Sequence, residues 1–155
     1  MKEIIIIAAM TFDDVIGKDN QIPWRIPEDM KLFRELTLGN TVIMGRKTYE
    51  SMGKPLKERN NIVISREMKK IEGIEVCRNL EDALRTAEKF DRDKFIIGGA
   101  TVYKSALPLV NKMYISYVKK DYKGDAYFPE FNHEDWNIKN IKQYIDFSLV
   151  TYIRK

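Results

Sequence analysis

Apolar residues are concentrated in four short runs, which predict the buried strands of the protein. The runs are "EIIIIAA" (3–9), "TVIMG" (41–45), "NIVIS" (61–65) and "KFIIGG" (94–99). They are continuous rather than alternating and rich in isoleucine and valine, a pattern typical of strands that are covered on both faces of a parallel sheet. "IEVCR" (74–78) predicts a further, shorter strand.

The segments between and after these strands have the spacing of helices. Helices are predicted at 27–37, 46–52, 80–90 and 101–110. Strands that alternate with helices form right-handed β-α-β units, which place helices on the faces of a parallel sheet. From residue 112 the pattern changes: "KMYISYVKK" is followed by two strands joined tightly around Asp146, which predicts an antiparallel hairpin.

Together these elements predict an α/β fold. We expect a single domain over residues 1–155, with a central, mostly parallel sheet of about eight strands, helices on both faces and an antiparallel C-terminal hairpin at the edge. A chain of 155 residues is long enough to bury a core without disulfides or a structural metal.

The predicted helix at 27–37 contains one residue that its pattern does not explain. Counted from Asp29, the side chains of Leu32, Phe33 and Leu36 follow at i+3, i+4 and i+7, which is one apolar face. Asp29 lies on that face. One interpretation is that it caps the first-turn N–H groups of the helix. The other is that the face lines a cleft, where a ligand pairs with the carboxylate and desolvation raises its pKa.

Three strand ends carry residues suited to phosphate. Gly45-Arg46-Lys47-Thr48 opens a helix, Ser65-Arg66 follows the next strand, and Gly98-Gly99 precedes another helix. Ligands of open α/β sheets bind beyond the carboxyl ends of the strands, where N–H groups and cations can hold phosphate. Each turn alone is ordinary turn chemistry. Three together favour one ligand with several phosphates, such as a dinucleotide, although the usual glycine fingerprints are missing.

Composition narrows the classes of function. The single cysteine excludes an internal disulfide framework, and one cysteine with one histidine argues against a zinc site. We therefore expect no bound metal and a location in the reducing cytoplasm. No apolar run is long enough to cross a membrane. The net charge of +4 comes from interspersed basic and acidic residues, and no nucleic-acid motif accompanies it. A monomer is the default expectation.

Five segments resemble the successive motifs of the bacterial-type dihydrofolate reductase family. They are "VIGKDNQIPWRIPEDMKLFRELT", "VIMGRKTYESMGKPL", "NIVISR", "FIIGGATVY" and "GDAYFPEF". The resemblance covers essentially the whole chain. It implies NADPH-dependent reduction of 7,8-dihydrofolate to tetrahydrofolate, with hydride transfer to C6 and protonation at N5. Such an enzyme serves one-carbon metabolism and nucleotide precursor supply, and is a target of antifolates.

The resemblance also assigns roles to individual residues. Asp29 matches the carboxylate that holds the pterin, and the other implied catalytic residues are Trp24, Ile22 and Ser116. Arg59 matches the arginine that pairs with the α-carboxylate of the glutamate tail. The implied substrate-binding residues are Ile7, Ala8, Asp29, Met30, Phe33, Met52, Lys54, Leu56, Arg59, Ile97 and Ser116.

For NADPH the resemblance implies a longer set of residues. They are Ala9, Ile16, Gly17, Asn20, Gln21, Gly45, Arg46, Lys47, Thr48, Ser65, Arg66, Arg78, Gly98, Gly99, Ala100, Thr101, Val102 and Tyr103. We expect Arg46, Ser65 and Arg66 to lack an acidic partner in their motifs, and therefore to favour NADPH over NADH. Residues 16–22 match a mobile active-site loop, which Gly124 and Asp125 support.

Two features depart from the family pattern. Glu58 stands where the family often has glycine before the arginine, and the C-terminal hairpin is tight where a third support loop is expected. Two other functions stay open. One is a riboflavin-pathway pyrimidine reductase, an enzyme of the same fold. The presence of Asp29 in the W-x-I-P-x-D segment of this chain argues against that function. A non-catalytic NADPH-binding or nucleic-acid-binding protein is suggested only by the positive net charge.

Overall fold

The computed structural model describes residues 2–155 and contains ten strands and four α-helices in that range. The strands are β1 (Ile4–Thr11), β2 (Val15–Gly17), β3 (Thr41–Gly45), β4 (Asn60–Ile64), β5 (Glu75–Cys77), β6 (Lys94–Ile96), β7 (Lys112–Val118), β8 (Ala126–Tyr127), β9 (Trp136–Gln143) and β10 (Phe147–Arg154). The helices are α1 (Pro27–Thr37), α2 (Arg46–Met52), α3 (Leu80–Ala87) and α4 (Ala100–Ala106).

Eight of the strands form one sheet in the order β5-β4-β3-β6-β1-β7-β10-β9. The first six of these are parallel neighbours, whereas β10 is antiparallel to both β7 and β9. This is the predicted fold: a mostly parallel sheet with an antiparallel C-terminal hairpin at its edge. β1 lies between β6 and β7, so the most apolar run of the chain occupies the middle of the sheet.

Helices cover both faces of the sheet, which explains why the strand sequences do not alternate. On one face, Ile5 and Ile7 of β1 pack with apolar residues of α1 and α2. On the other face, Ile6 and Met10 pack with residues of α3 and α4. A strand with helices on both sides has no face left for polar residues.

The structure differs from the sequence prediction in two local details. β2 and β8 form a small separate sheet that was not predicted, because three and two residues are too few to show a strand pattern. α4 ends at Ala106 rather than at residue 110, because Pro108 has no backbone N–H with which to continue the hydrogen bonds of the helix. None of the helices in residues 2–155 is long and apolar enough to cross a membrane.

Candidate active site

The parallel strands bring their carboxyl ends to one edge of the sheet. The end of β1 lies beside those of β6 and β7, and the end of β3 lies between those of β4 and β6. The loops and helices that follow these strands therefore share one region, and α1 packs against the same side. Most of the residues to which the resemblance gives a role lie here.

Asp29 is in the first turn of α1, but its side chain contacts another strand. The helix begins at Pro27 after Ile26, which makes no side-chain cap. The carboxylate oxygen Oδ1 of Asp29 accepts a hydrogen bond of 2.7 Å from the hydroxyl of Ser116 on β7. Ser116 is opposite Ala9 of β1 and only 5% exposed. The carboxylate is thus directed across the site, and the cleft interpretation fits this geometry better than capping.

The surroundings of Asp29 favour its neutral form. Burial raises the pKa of the carboxyl above its ordinary value, and the hydrogen bond from Ser116 opposes that rise to a smaller degree. No Lys, Arg or His in residues 2–155 forms an ion pair with it. Leu32, Phe33 and Leu36 are half-buried like Asp29, so the mixed apolar and acidic face of α1 is as predicted. A ligand with N–H donors would supply the missing partner.

Several side chains that the resemblance assigns to the substrate are brought together beside Asp29. One cluster on the α1 side of the sheet contains Ile7, Phe33, Met52, Leu56 and Ile97.

Other assigned residues lie apart from this cluster. Ala8 packs on the opposite face of the sheet with Tyr103, so only its backbone is available on the α1 side. The side chains of Met30 and Ile22 are 52% and 61% exposed. Trp24 belongs to a separate cluster, in which its ring lies 5.4 Å from that of Tyr122. No local sequence signal indicated Tyr122, because this contact spans a loop.

Arg59 is fixed at the other end of α1. Its Nε donates to the carbonyl of Lys57 at 2.9 Å, and its Nη1 donates to the hydroxyl of Thr37 at 3.0 Å. Thr37 is fully buried and was not predicted as part of the site. Burial lowers the pKa of Arg59, and the neighbouring Arg34 adds to that effect. Lys54, the other predicted cation of this region, is exposed.

The glycine turns after β3 and β6 touch each other. The backbone N–H of Gly45 donates to the carbonyl of Gly98 at 2.9 Å. A side chain at Gly45 would come within 3.2 Å of Val102, and Thr48 lies beside both Gly98 and Gly99. Gly45 and Gly99 precede α2 and α4 without side-chain caps. The two turns therefore form one surface of backbone groups on which a large anion could lie closely.

The side chains around this surface are not all free. Arg46 was expected to lack an acidic partner, and that expectation is wrong: its Nη1 lies 2.7 Å from Oε1 of Glu50, one helical turn later. Lys47 and Thr101 are exposed, while Ala100 is half-buried.

The turn after β4 is held by two of the predicted residues. The hydroxyl of Ser65 accepts from the backbone N–H groups of Glu67 and Met68. Nη1 of Arg78 donates to the carbonyls of Ser65 and Met68, each at 2.9 Å. Arg66, between them, is exposed. The structure thus shows Ser65 and Arg78 shaping a turn that presents Arg66 to solvent.

The segment at 16–22 contacts the segment at 124–125. The N–H of Asp125 donates to the carbonyl of Gly17 at 3.0 Å, and Oδ2 of Asp125 accepts from the N–H of Asp19 at 3.1 Å. A Cβ atom on Gly124 would lie 2.5 Å from the carbonyl oxygen of Gly17, so only glycine fits this approach. Ile16 is half-buried, whereas Asn20 and Gln21 are exposed at the tip.

The chain is similar to known proteins over almost its whole length. A family model described as dihydrofolate reductase matches residues 3–153. The dihydrofolate reductase of Haemophilus influenzae is 43% identical over 134 residues, which cover 86% of this chain and 83% of the relative. That of Bacillus subtilis is 36% identical and covers 98% of this chain and 95% of the relative. A solved structure of dihydrofolate reductase from Enterococcus faecalis, complexed with NADP(H) and RAB-propyl, has a TM-score of 0.92 at 31% identity, covering 99% of this chain and 96% of that one.

Proposed function

The chain belongs to the dihydrofolate reductase family, and we propose that Asp29 is the residue that binds the substrate pterin and supports its protonation. The reaction is the NADPH-dependent reduction of 7,8-dihydrofolate to 5,6,7,8-tetrahydrofolate. The comparisons do not favour a riboflavin-pathway pyrimidine reductase.

One observation carries the role of Asp29: it is a half-buried carboxylate that accepts a hydrogen bond from Ser116 and has no ion-pair partner among the described residues 2–155. Each carboxylate oxygen can accept more than one hydrogen bond, so the bond from Ser116 leaves room for two N–H donors of a pterin. Such charge-assisted bonds are about twice as strong as neutral ones. Because burial raises its pKa, the carboxyl also exchanges protons closer to neutral pH than an exposed aspartate does, which helps protonation at N5.

The remaining substrate contacts are with the apolar cluster and with Arg59. The ring system of the substrate lies against Ile7, Phe33 and Ile97, which join the cluster from β1, α1 and the end of β6. The tail extends toward Arg59, whose guanidinium is already oriented by Thr37 and Lys57. A guanidinium oriented in advance loses little entropy when it binds a carboxylate.

The surface at the glycine turns fits NADPH. Gly45, Gly98 and Gly99 leave space that side chains would fill, and Thr48 and Val102 lie directly beside it. The turn at Ser65 presents Arg66 to solvent, and Arg78 holds this turn by donating to the carbonyls of Ser65 and Met68. These residues hold the phosphates of the cofactor, and Arg66 favours a 2′-phosphate through charge-assisted hydrogen bonds. When bound, NADPH supplies the hydride that reduces the pterin.

The experiment that tests the proposal is Asp29→Asn. Asparagine keeps the size of the side chain but has neither its charge nor its titrating proton. We expect kcat/KM for dihydrofolate at neutral pH to fall by roughly two orders of magnitude or more, with partial recovery at lower pH. The affinity for NADPH, measured by fluorescence titration, should be kept because the phosphate surface is elsewhere.

Glu28→Gln is the matched control, because Glu28 is the preceding residue of the same helical turn but is exposed. Its activity should stay within about twofold of the unaltered protein, as an exposed charge near a helix end has a small effect. If Asp29→Asn keeps near-normal activity and the same pH profile, Asp29 has no role in the reaction.

We also propose that residues 1–155 form one domain, which acts as a monomer in the cytoplasm without a nucleic-acid partner. The single cysteine, Cys77, is buried and free, which suits a reducing compartment. Sedimentation of the purified protein at micromolar concentration tests the monomer, and an assay in which added duplex DNA leaves turnover unchanged tests the absence of a nucleic-acid role.

A further inference from the structure

The residue before Arg59 has a backbone conformation that favours glycine. Glu58 has φ of 60°, in the left-handed region that costs a residue with a Cβ roughly 1 kcal/mol. Its carbonyl accepts from the N–H of Gly39 at 2.9 Å, which ties this loop to the end of α1. Glycine at this position would relieve the strain. We therefore examined what the side chain of Glu58 contacts.

The carboxylate of Glu58 lies against Arg34 of α1. Oε2 of Glu58 is 3.4 Å from Nη2 of Arg34, and the two side chains are 66% and 59% exposed. Arg34 is one helical turn before Thr37, the residue that orients Arg59, so both guanidinium groups lie at the same end of α1. Arg34, Glu58 and Arg59 therefore lie together beside the proposed tail site.

The three charges are close enough to influence one another. Arg34 lowers the pKa of Arg59, and Glu58 raises it. The positions differ in one respect: Arg59 is held by hydrogen bonds to Thr37 and Lys57, whereas Arg34 is held by an exposed ion pair alone. An exposed pair of this kind is weak, and a competing carboxylate can displace it.

We propose that Glu58 is a specificity-determining residue: its carboxylate competes with the carboxylates of the substrate tail for Arg34 and so limits the affinity for tailed folates. This inference rests on the proposed binding of the tail by Arg59. A tail with only the α-carboxylate binds Arg59 and does not need Arg34. A tail with two carboxylates gains a second cation only when Glu58 releases Arg34.

The test is Glu58→Gln, assayed with three substrates: dihydrofolate, with two tail carboxylates, dihydropteroylalanine, which keeps only the α-carboxylate, and a dihydropterin without a tail. We expect kcat/KM for dihydrofolate relative to the tail-less dihydropterin to rise roughly 2- to 5-fold, the range of an exposed ion pair. The gain should appear in KM rather than kcat, should be smaller for dihydropteroylalanine, and should shrink in 0.5 M salt, where screening is strong.

Two further variants make the test specific. Glu35→Gln removes an equivalent exposed carboxylate of α1, paired with Lys31 at 3.9 Å, and should leave the substrate ratio unchanged. Arg34→Ala combined with Glu58→Gln should lose the gain, because the released cation is gone. Glu58→Gly, which also relieves the strained backbone, gives the same readout should Glu58→Gln fold poorly.

An unchanged ratio in both Glu58 variants overturns the inference, and so does a gain that persists without Arg34. Failure of the proposed function itself looks different. If Arg59→Ala weakens tailed and tail-less substrates equally, the tail does not bind at this end of α1 at all. If Arg59→Ala selects against tailed substrates while the Glu58 variants have no effect, only the inference about Glu58 is wrong.

Discussion

The two ends of α1 carry opposite charges in opposite surroundings. At the first turn, Asp29 is half-buried, has one hydrogen bond from Ser116 and forms no ion pair with a Lys, Arg or His of residues 2–155. At the last turn, Arg59 is one of two guanidinium groups, and Glu58 lies beside them in contact with solvent.

The difference shows how the two ends can serve different purposes. Removal of a carboxylate from water changes its protonation: burial raises the pKa of Asp29, and the hydrogen bond from Ser116 offsets only part of that rise. At the other end Arg59 stays charged at neutral pH even though burial lowers its pKa, because arginine ionises far above that pH. The guanidinium groups there attract an anionic tail over a distance, and salt screens this attraction. We therefore expect changes near Asp29 to alter pH profiles and changes near Arg59 to alter affinity.

After Asp29→Asn, the largest effect that would sharpen this comparison is expected from Arg59→Ala. Loss of a positioned cation should cost about 2 kcal/mol for substrates with a glutamate tail, roughly 30-fold in KM, and much less for a bare pterin. The pH profile should stay the same. Steady-state kinetics with both substrates measures this, and Arg85→Ala, an exposed arginine of α3, is the control. A changed pH profile would break the distinction between the two ends.

A smaller effect is expected from Ser116→Ala. The hydroxyl donates to the charged form of Asp29 and so lowers its pKa; without it the pKa rises further, and the corresponding limb of the profile of kcat/KM against pH moves to higher pH. Loss of one buried hydrogen bond, about 1 kcal/mol, should reduce kcat/KM roughly fivefold at neutral pH. Ser116→Thr keeps the hydroxyl and should keep the profile. Equal pH profiles for the alanine and threonine variants would show that the hydrogen bond from Ser116 to Asp29 does not affect the reaction.

The smallest effect is on stability, where Asp29→Asn should raise the melting temperature at pH 7. A carboxyl whose pKa is higher in the folded state than in the unfolded chain binds its proton more tightly when folded. The free energy of unfolding therefore falls as pH rises from the ordinary value, about 3.9, through the raised value, and stays lower at neutral pH. Asparagine has no such loss.

Calorimetry at pH 7 and pH 3 checks this prediction. Each kcal/mol gained in the free energy of unfolding raises the melting temperature by roughly 2–4 °C in a chain of this size. The gain should disappear at pH 3, where the carboxyl is largely protonated in both states. A fall in melting temperature at pH 7 would indicate a helix cap instead.

Much of the fold could be predicted because the continuous apolar runs of β1, β3, β4 and β6 are typical of buried parallel strands. β2 and β8 could not be predicted, since strands of three and two residues are defined by their pairing rather than by a pattern of their own. The end of α4 could have been placed from Pro108, which has no N–H to donate within a helix.

Less of the candidate site than of the fold could be predicted from the residues alone. The helical spacing identified Asp29 as unusual, but its contact with Ser116 spans 87 positions and has no local signal, so only the resemblance linked the two. The pairing of Arg46 with Glu50 could have been found from their i, i+4 spacing. The resemblance marked Glu58 as a departure, and its left-handed backbone shows why glycine suits that position. The roles of these residues in binding and catalysis stay predictions.

The most direct test of the central claim is the pKa of the Asp29 carboxyl itself, measured by carbon NMR of the labelled protein. Its resonance can be assigned by its loss in Asp29→Asn. A carboxylate that lines a dry cleft should titrate above the ordinary value of about 3.9, and further above it when Ser116 is replaced by alanine. A carboxylate that caps the helix is stabilised in its charged form and titrates at or below that value. The first result is the one predicted here, and the second would contradict it.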